Sequence, residues 1–327
     1  MIKSMYSGIS GMNAQQKKLD VIGNNIANSG TTSFKSSRVT FQDTMRETIG
    51  KGSGPVLALG GSNPKQIGMG VNLQSIEVNT GQGSLNPTGR PLDNAIDGSG
   101  YFIVAKGDID GEISTDTAKP TDAEKAMESY YTRDGEFKRD SLGNLVTPNG
   151  YRVMGYVSSD AGRKIGEKSG KVELSFVDAN QKAEDLNFEK KLVPLAIPEE
   201  IDGKKVSGFT IEKDGLIKAT LEDQTVTVIG QVAMASFVND GGLEGVGQNM
   251  YVPGANSGSP VIRPAKSEKS PAEEAYGSII NGMLEMSNVD LAVEFTEMIV
   301  ASRSFQACSK VITTGDEILQ ELVNLKR

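Results

Sequence analysis

Leu19-Asp20-Val21-Ile22-Gly23-Asn24-Asn25-Ile26-Ala27-Asn28-Ser29-Gly30 decides how the chain is read, because it carries the end of a long apolar pattern together with the signal that stops it. Working back from Ile26, a heptad register passes through Gly23, Leu19, Gln16, Met12, Ile9, Met5 and Ile2, the 3-4 spacing of a helical seam. Asn28-Ser29-Gly30 ends it, since Asn and Gly tolerate the left-handed conformation found just past helix ends. A helix is therefore predicted over Lys3 to Ala27. At the other end of the chain Leu291, Phe295, Met298, Phe305, Ile312, Leu319 and Val323 keep a similar register, with Ser302, Ser309 and Asp316 as its polar members. This predicts a second, longer helix over Val289 to Lys326. Ser287 and Asp290 have capping-box spacing, and Glu294 and Glu297 put negative charge near the positive end of its dipole.

Between the helices, Gly, Asn and Asp recur about every eight to twelve residues and separate short β-prone runs, an all-β rhythm. Tyr130 to Thr132, Phe137 to Arg139, Leu145 to Thr147 and Tyr151 to Val157 alternate with Asp134-Gly135, Leu142-Gly143-Asn144 and Pro148-Asn149-Gly150, each a turn former. They read as an antiparallel meander. Phe209 to Glu212, Leu216 to Leu221 and Thr225 to Val238 read as a second set of strands. Ser158 to Asp185 is polar and reads as an exposed insertion; Gly50 to Gly61 and Gly254 to Ser270 read as loops. The fold class is α+β.

Composition removes most chemistry. With 327 residues the chain holds two or three domains of the usual size of roughly 100 to 200 residues. Histidine is absent, so there is no imidazole base, no Ser-His-Asp or Cys-His nucleophile and no His-containing metal site. Cys308 is the only cysteine, which rules out an intramolecular disulfide and a thiolate zinc site. On the helix, near the apolar seam, it reads as a small hydrophobe. Lys and Arg number 34 against 42 Asp and Glu, a formal net charge of −8 without a basic footprint for nucleic acid. Trp is absent and aromatics are 6%, which suggests thin Val/Ile/Leu layers. No apolar run reaches the 18 or so residues of a membrane span, and Met1 to Ser29 lacks the apolar core of a cleavable signal. These rules alone read as cytosolic, but proteins exported unfolded by dedicated machines also lack such a signal.

Gly98-Ser99-Gly100 and Gly245-Val246-Gly247 do not complete a phosphate-binding motif and read as turns. Asp108-Ile109-Asp110-Gly111 begins like a calcium loop, yet its Gly comes too early and the closing Glu is out of place, so a hairpin turn is read there. One stretch departs from the pattern of an ordinary surface helix: Ser4 to Gln16 has no charged residue. A helix with an apolar stripe and only Ser, Gly, Asn, Ala and Gln elsewhere reads as covered on several sides. If the C-terminal helix is its one partner within the chain, the remaining cover comes from other copies.

Leu19 to Asn28 followed by Thr31-Thr32-Ser33-Phe34-Lys35 resembles the N-terminal signature of the bacterial flagellar rod and hook proteins. Leu92-Asp93-Asn94-Ala95-Ile96-Asp97-Gly98-Ser99-Gly100-Tyr101-Phe102 and Tyr131-Thr132-Arg133-Asp134-Gly135-Glu136-Phe137 are similar to the β-domain motifs of that family. So are Gly230-Gln231-Val232, Ser287-Asn288-Val289-Asp290 and Met298-Ile299 with Arg303. Within the family, Phe34 to Asp43 and the ending Glu321-Leu322-Val323-Asn324-Leu325 look most like hook members. Distal rod members come next, and the stretch Gly50 to Gly68 is somewhat like their additional segment. A secreted glycan-binding or hydrolytic β protein is the alternative from another class.

The resemblance implies a non-enzymatic structural subunit without cofactor or metal. Long terminal helices would form a paired, coiled-coil-like inner layer around a mainly β middle with one small inserted domain. The divisions it suggests are 1–45 with 285–327 for helical assembly, 46–157 with 207–284 for the β-rich region, and 158–206 for the outer insertion. Subunit packing falls to Met5, Ile9, Met12, Leu19, Ile26, Leu291, Phe295, Met298, Phe305, Ile312, Leu319 and Val323. Hook subunits polymerise into a curved, flexible tube, a universal joint between rod and filament. The implied partners are further copies of the chain, the distal rod protein, the hook cap protein, the hook–filament junction protein and the flagellar export gate, with no nucleic acid and no membrane insertion. The family leaves the cell by the flagellar type III apparatus, which places it in the hook and basal body. Phe41 and Met45 match the family's short export-gate motif. The alternative reading of that pair is packing at i and i+4 in a short helix.

Overall fold

The computed structural model describes residues 2–54, 60–114, 127–157, 164–165, 172–177, 191–264 and 277–325. Two compact units divide it. One comprises Met1–Gly30, Lys35–Asn79 and Val289–Arg327; the other comprises Thr31–Phe34 and Thr80–Asn288.

The first unit contains both helices, α1 (Ile2–Ala27) and α2 (Leu291–Leu325). Asp290 caps α2, its Oδ1 accepting from the N–H groups of Ala292 at 2.9 Å and Val293 at 3.3 Å, which satisfies two of the four free donors of the first turn. Ser287 stands outside the helix. The unit also holds two antiparallel ribbons, Ser37–Asp43 with Val71–Val78 and Arg46–Gly50 with Lys65–Gly68. Residues 46–79 thus belong with the helices, where the sequence reading put them in the β-rich region. Gly50 to Gly61 is not wholly loop: a Ser53–Ser62 bridge continues the second ribbon, and 55–59 lie outside the described residues.

The second unit is built on a 14-stranded sheet. Its main path runs Glu200–Ile201, Lys204–Ile211, Leu216–Leu221, Val226–Ser236, Arg152–Tyr156, Tyr101–Lys106, Glu128–Thr132, Met250–Pro253 and Leu243–Gly247. The predicted set from Phe209 to Val238 is present as consecutive antiparallel strands. The other predicted meander is only partly so. Lys138–Arg139, Leu145–Val146 and Arg152–Tyr156 pair in sequence, but Glu128–Thr132 turns away to pair with Tyr101–Lys106 and Met250–Pro253. Val261–Pro264 is a strand on Val226–Ser236, although its segment read as loop.

Val226–Ser236 is the hub, pairing along its length with four other strands. Its centre pairs with the end of Arg152–Tyr156, Gly155 opposite Val232 and Tyr156 opposite Gln231. A β-carbon on Gly155 would lie 2.3 Å from Gln231 O, and one on Gly230 would lie 2.7 Å from Tyr156 O, so both positions require glycine. Alternation along Tyr101–Lys106 then feeds two cores. Phe102 and Val104 join Phe137, Leu195 and Val232, while Tyr101, Ile103 and Ala105 join Tyr131, Met154 and Phe237. Two modest cores agree with the low aromatic content.

Of the expected insertion, 158–163, 166–171 and 178–190 lie outside the described residues. Its far end is core, not outer domain. Lys191–Pro194 pairs with Arg152–Tyr156, and Leu192, Leu195 and Ile197 are fully buried. Asp108 to Gly111 forms a turn, closed by Gly111 N–H donating to Asp108 O at 3.1 Å, but not the hairpin expected, because Tyr101–Lys106 and Ile113–Ser114 pair with other strands and not with each other.

Candidate assembly surface

Within the first unit α1 and α2 lie antiparallel along each other. Met5 faces Gly315, Gly8 faces Ile312, Gly11 faces Cys308, Lys18 faces Glu297 and Asn25 faces Glu294. A β-carbon on Gly8 would stand 3.2 Å from Ile312 Cγ1, and one on Gly11 would stand 3.0 Å from Cys308 Sγ. The two glycines serve close approach of the chain's own helices. Cys308 packs there as the small hydrophobe expected, and is a free thiol.

This seam is not the one counted from large apolar residues. On α1 it runs through Gly8, Gly11, Lys18 and Asn25, one residue before Ile9, Met12, Leu19 and Ile26. On α2 it passes Glu294, Glu297, Ala301 and Cys308 before taking in Ile312 and Gly315. Small residues bring the backbones together, so the seam needs few large side chains. Met5 and Ile312 reach it, while Met12, Leu19, Ile26, Met298, Phe305 and Leu319 flank it half-buried. Ile9, Leu291, Phe295 and Val323 are exposed, Val323 by 67%.

A second intrachain partner covers part of the uncharged stretch Ser4 to Gln16. Gly70, at φ +122°, lies so close to α1 that a β-carbon there would collide with Ser10 Oγ, and that oxygen accepts from Val71 N–H at 3.4 Å. Ala14 is buried. The expectation that α2 is the only partner within the chain is therefore corrected. What remains uncovered on α1 begins with Tyr6 and Ile9 and turns polar toward Asp20. On α2 the uncovered residues include Val293, Phe295, Ile299, Val300, Val311, Ile318, Leu322 and Leu325. These are large apolar side chains left exposed along one helix.

Polar residues fix the pairing where the apolar count gave no signal. Asn25 is buried, donates Nδ2 to Ser37 O and to Glu294 Oε1, both at 2.9 Å, and accepts from Ser37 N–H at 3.0 Å. Burial pushes the Glu294 carboxyl up, the Asn25 hydrogen bond opposes this, repulsion from Glu297 adds to it, and Lys18 pulls it back. Lys18 Nζ lies 3.1 Å from Glu297 Oε2.

Phe41 and Met45 are not in a short helix. Phe41 is half-buried in a strand, opposite Leu73, and Met45 is 78% exposed between the two ribbons. Its neighbour Arg46 holds the Asp43 carboxyl below the usual range through a 2.6 Å hydrogen bond.

The second unit carries its own buried polar lock. Arg133 Nη1 stands 3.3 Å from Glu285 Oε1, both side chains nearly solvent-free, and Nε donates to Gly100 O at 3.0 Å while Nη2 donates to Gly98 O. Glu285 Oε1 also accepts from Gly83 N–H at 2.9 Å. The guanidinium lies 5.5 Å from the centroid of the Tyr101 ring. Gly98-Ser99-Gly100, Tyr131 to Phe137 and the strand Met283–Glu285 are thereby joined through one charge pair. Ser33, at φ 56°, donates its N–H to Glu285 O at 2.8 Å, and Asn249 Nδ2 donates to Thr32 O at 2.8 Å, which explains why Thr31–Phe34 belongs to this unit.

Among the described residues no group of three or more His, Cys, Asp or Glu could hold a metal. Three family profiles match the chain: flagella basal body rod protein over 5–35, flagellar hook protein FlgE/F/G D1 domain over 123–219, and flagellar basal body rod FlgEFG protein C-terminal over 280–325. The flagellar basal-body rod protein FlgG of Bacillus subtilis (strain 168) is 40% identical over 327 residues, covering the whole of both chains. The chain belongs to the flagellar rod and hook protein family. It is a structural component of the bacterial flagellum. The flagellar hook protein FlgE of Borreliella burgdorferi is 28% identical over 466 aligned residues, again covering both chains fully. A solved structure of the Helicobacter pylori flagellar hook protein FlgE2 matches at TM-score 0.39 and 11% identity, over 62% of this chain and all of that one, a likeness too loose to carry an argument. As a member of the rod and hook family, the chain carries two of the three profiles on its terminal helices, where the uncovered apolar residues lie.

Proposed function

We propose that this chain is the distal-rod type of subunit, polymerising through its terminal helices into the tubular axis of the flagellum. The observation that carries the rod reading is length. The rod relative aligns end to end over 327 residues, while the hook relative needs 466 aligned positions to cover both chains. The uncovered residues on α1 and α2 support polymerisation, since a helix pair with this much apolar surface gains by burying it against further copies. In the tube, the paired helices form the coiled-coil-like inner layer. The subunit leaves the cell through the type III export gate, with Phe41 and Met45 as the recognition pair. It has no catalytic role.

The hook reading is the second one, supported by Phe34 to Asp43 and Glu321 to Leu325. On that reading the partners are the distal rod protein, the hook cap protein and the hook–filament junction protein. Electron microscopy of the concentrated full chain tests both: straight tubes support the rod, uniformly curved tubes support the hook, and absence of tubes removes the polymer reading. Gold-labelled antibody within the cell envelope supports the rod, and outside it the hook.

A further inference from the structure

Two Asn-Gly pairs occur in the chain, Asn149-Gly150 and Asn281-Gly282, chemically identical as dipeptides and placed in opposite settings. Asn149 sits in the exposed turn between the strands Leu145–Val146 and Arg152–Tyr156. Its carboxamide has no partner among the described residues. Gly150 has φ +84°, with nothing within 4 Å of where a β-carbon would be, so no neighbouring segment packs on its α-carbon there. The only bond on that N–H is to Thr147 O at 2.9 Å, inside the same turn, and a local opening of the turn frees it.

Asn281 is held on both sides. It lies in the strand Ser278–Asn281, opposite Asn94, and its Nδ2 donates to Ile211 O at 3.3 Å. Gly282 N–H donates to Asp93 O at 2.7 Å, and Gly282 O accepts from Thr88 and Gly89. Bringing the Gly282 nitrogen onto the Asn281 carboxamide breaks contacts to three other segments.

We infer that Asn149 is a site of spontaneous deamidation in the folded protein, and that Asn281 is protected. After loss of its proton to solvent base, the Gly150 nitrogen attacks Asn149 Cγ. A C–N bond forms, the Cγ–Nδ2 bond breaks, and ammonia leaves, giving a five-membered succinimide. Water opens the ring at either carbonyl, yielding aspartate or isoaspartate, with no change of oxidation state. Either product adds a negative charge to a chain already at −8. The isoaspartate form also lengthens the backbone inside a turn closed by Tyr151 N–H on Thr147 Oγ1 at 3.2 Å and by Thr147 N–H on Tyr151 O at 2.8 Å. That product loosens the hairpin.

The full-length protein is incubated in mildly alkaline buffer, native and in urea, then digested and mapped by mass spectrometry, with isoaspartate detected by methyl transfer from S-adenosylmethionine using an isoaspartyl methyltransferase. Native protein is expected to convert at Asn149 with Asn281 intact, and both to convert in urea. Asn149→Gln, whose longer side chain disfavours the ring, should abolish the native signal while leaving the unfolding midpoint unchanged. Conversion of both sites at equal rates in the native protein, or of neither while urea releases both, overturns the inference.

Discussion

Asn25 Nδ2 donates to Glu294 Oε1 at 2.9 Å, so that a buried amide near the end of α1 holds a carboxylate in the first turn of α2. Burial raises the folded pKa of Glu294 above its ordinary value. The folded state therefore holds this proton more tightly than the unfolded chain does. Its favourable contribution is complete at pH below the ordinary value and is lost as pH rises through the raised one. Glu294→Gln keeps an oxygen for Asn25 and removes the titration. Urea unfolding of the variant should lack the part of the acid-side slope that the parent shows between those two values. Identical slopes in both proteins would count against the assignment.

Gly8 and Gly11 are expected to matter in the monomer as well as in assembly. Leucine at either position pushes into Ile312 or Cys308 and should cost about 1–3 kcal/mol by overpacking. Gly23, with nothing within 4 Å, is the control: Gly23→Ala should stabilise α1 by roughly 0.5–1 kcal/mol. Thermal melts followed by helical circular dichroism separate the three.

Arg133→Met leaves Glu285 buried without its cation and should cost about 3–5 kcal/mol. Glu285→Gln should cost less, because its side-chain oxygen can still accept from Gly83 N–H. A double-mutant cycle read by denaturant unfolding should give a coupling of roughly 0.5–3 kcal/mol. Additive losses would mean that the two charges act separately.

Phe295→Asp and Val323→Asp change exposed positions, so the monomer should keep its stability to within about 0.5 kcal/mol. Sedimentation and electron microscopy should show that tubes are lost. Ala301→Asp, at a buried position of the helix seam, should instead unfold the pair. Normal tubes from both exposed-site variants would remove these residues from the assembly surface.

Met45→Ala removes an exposed side chain and should leave folding untouched. If Met45 and Phe41 are read by the export gate, secretion of Met45→Ala should fall while the purified variant still polymerises. Unchanged secretion removes the pair from recognition. Phe41→Ala, half-buried, needs a melt beside the assay.

The two helices, the Asn28-Ser29-Gly30 stop of the first and the β rhythm between them were legible in the sequence, because apolar spacing, helix stops and alternating strands are local rules that a single chain displays. The resemblance in Leu19 to Lys35 was legible for the same reason. Tertiary structure decided which face of each helix meets the other. Counting large apolar residues selects Ile9 and Phe295, yet backbones approach most closely where Gly8, Gly11 and Ala301 allow it, which leaves the large side chains outside. It also decided the fate of residues 46–79, of Lys191–Pro194 and of Val261–Pro264, since strand partners far apart in sequence leave no periodic trace. The lock between Arg133 and Glu285 joins residues 152 apart in the sequence. Burial alone turns those two ordinary charges into a single structural element, and burial is a property of the assembled fold.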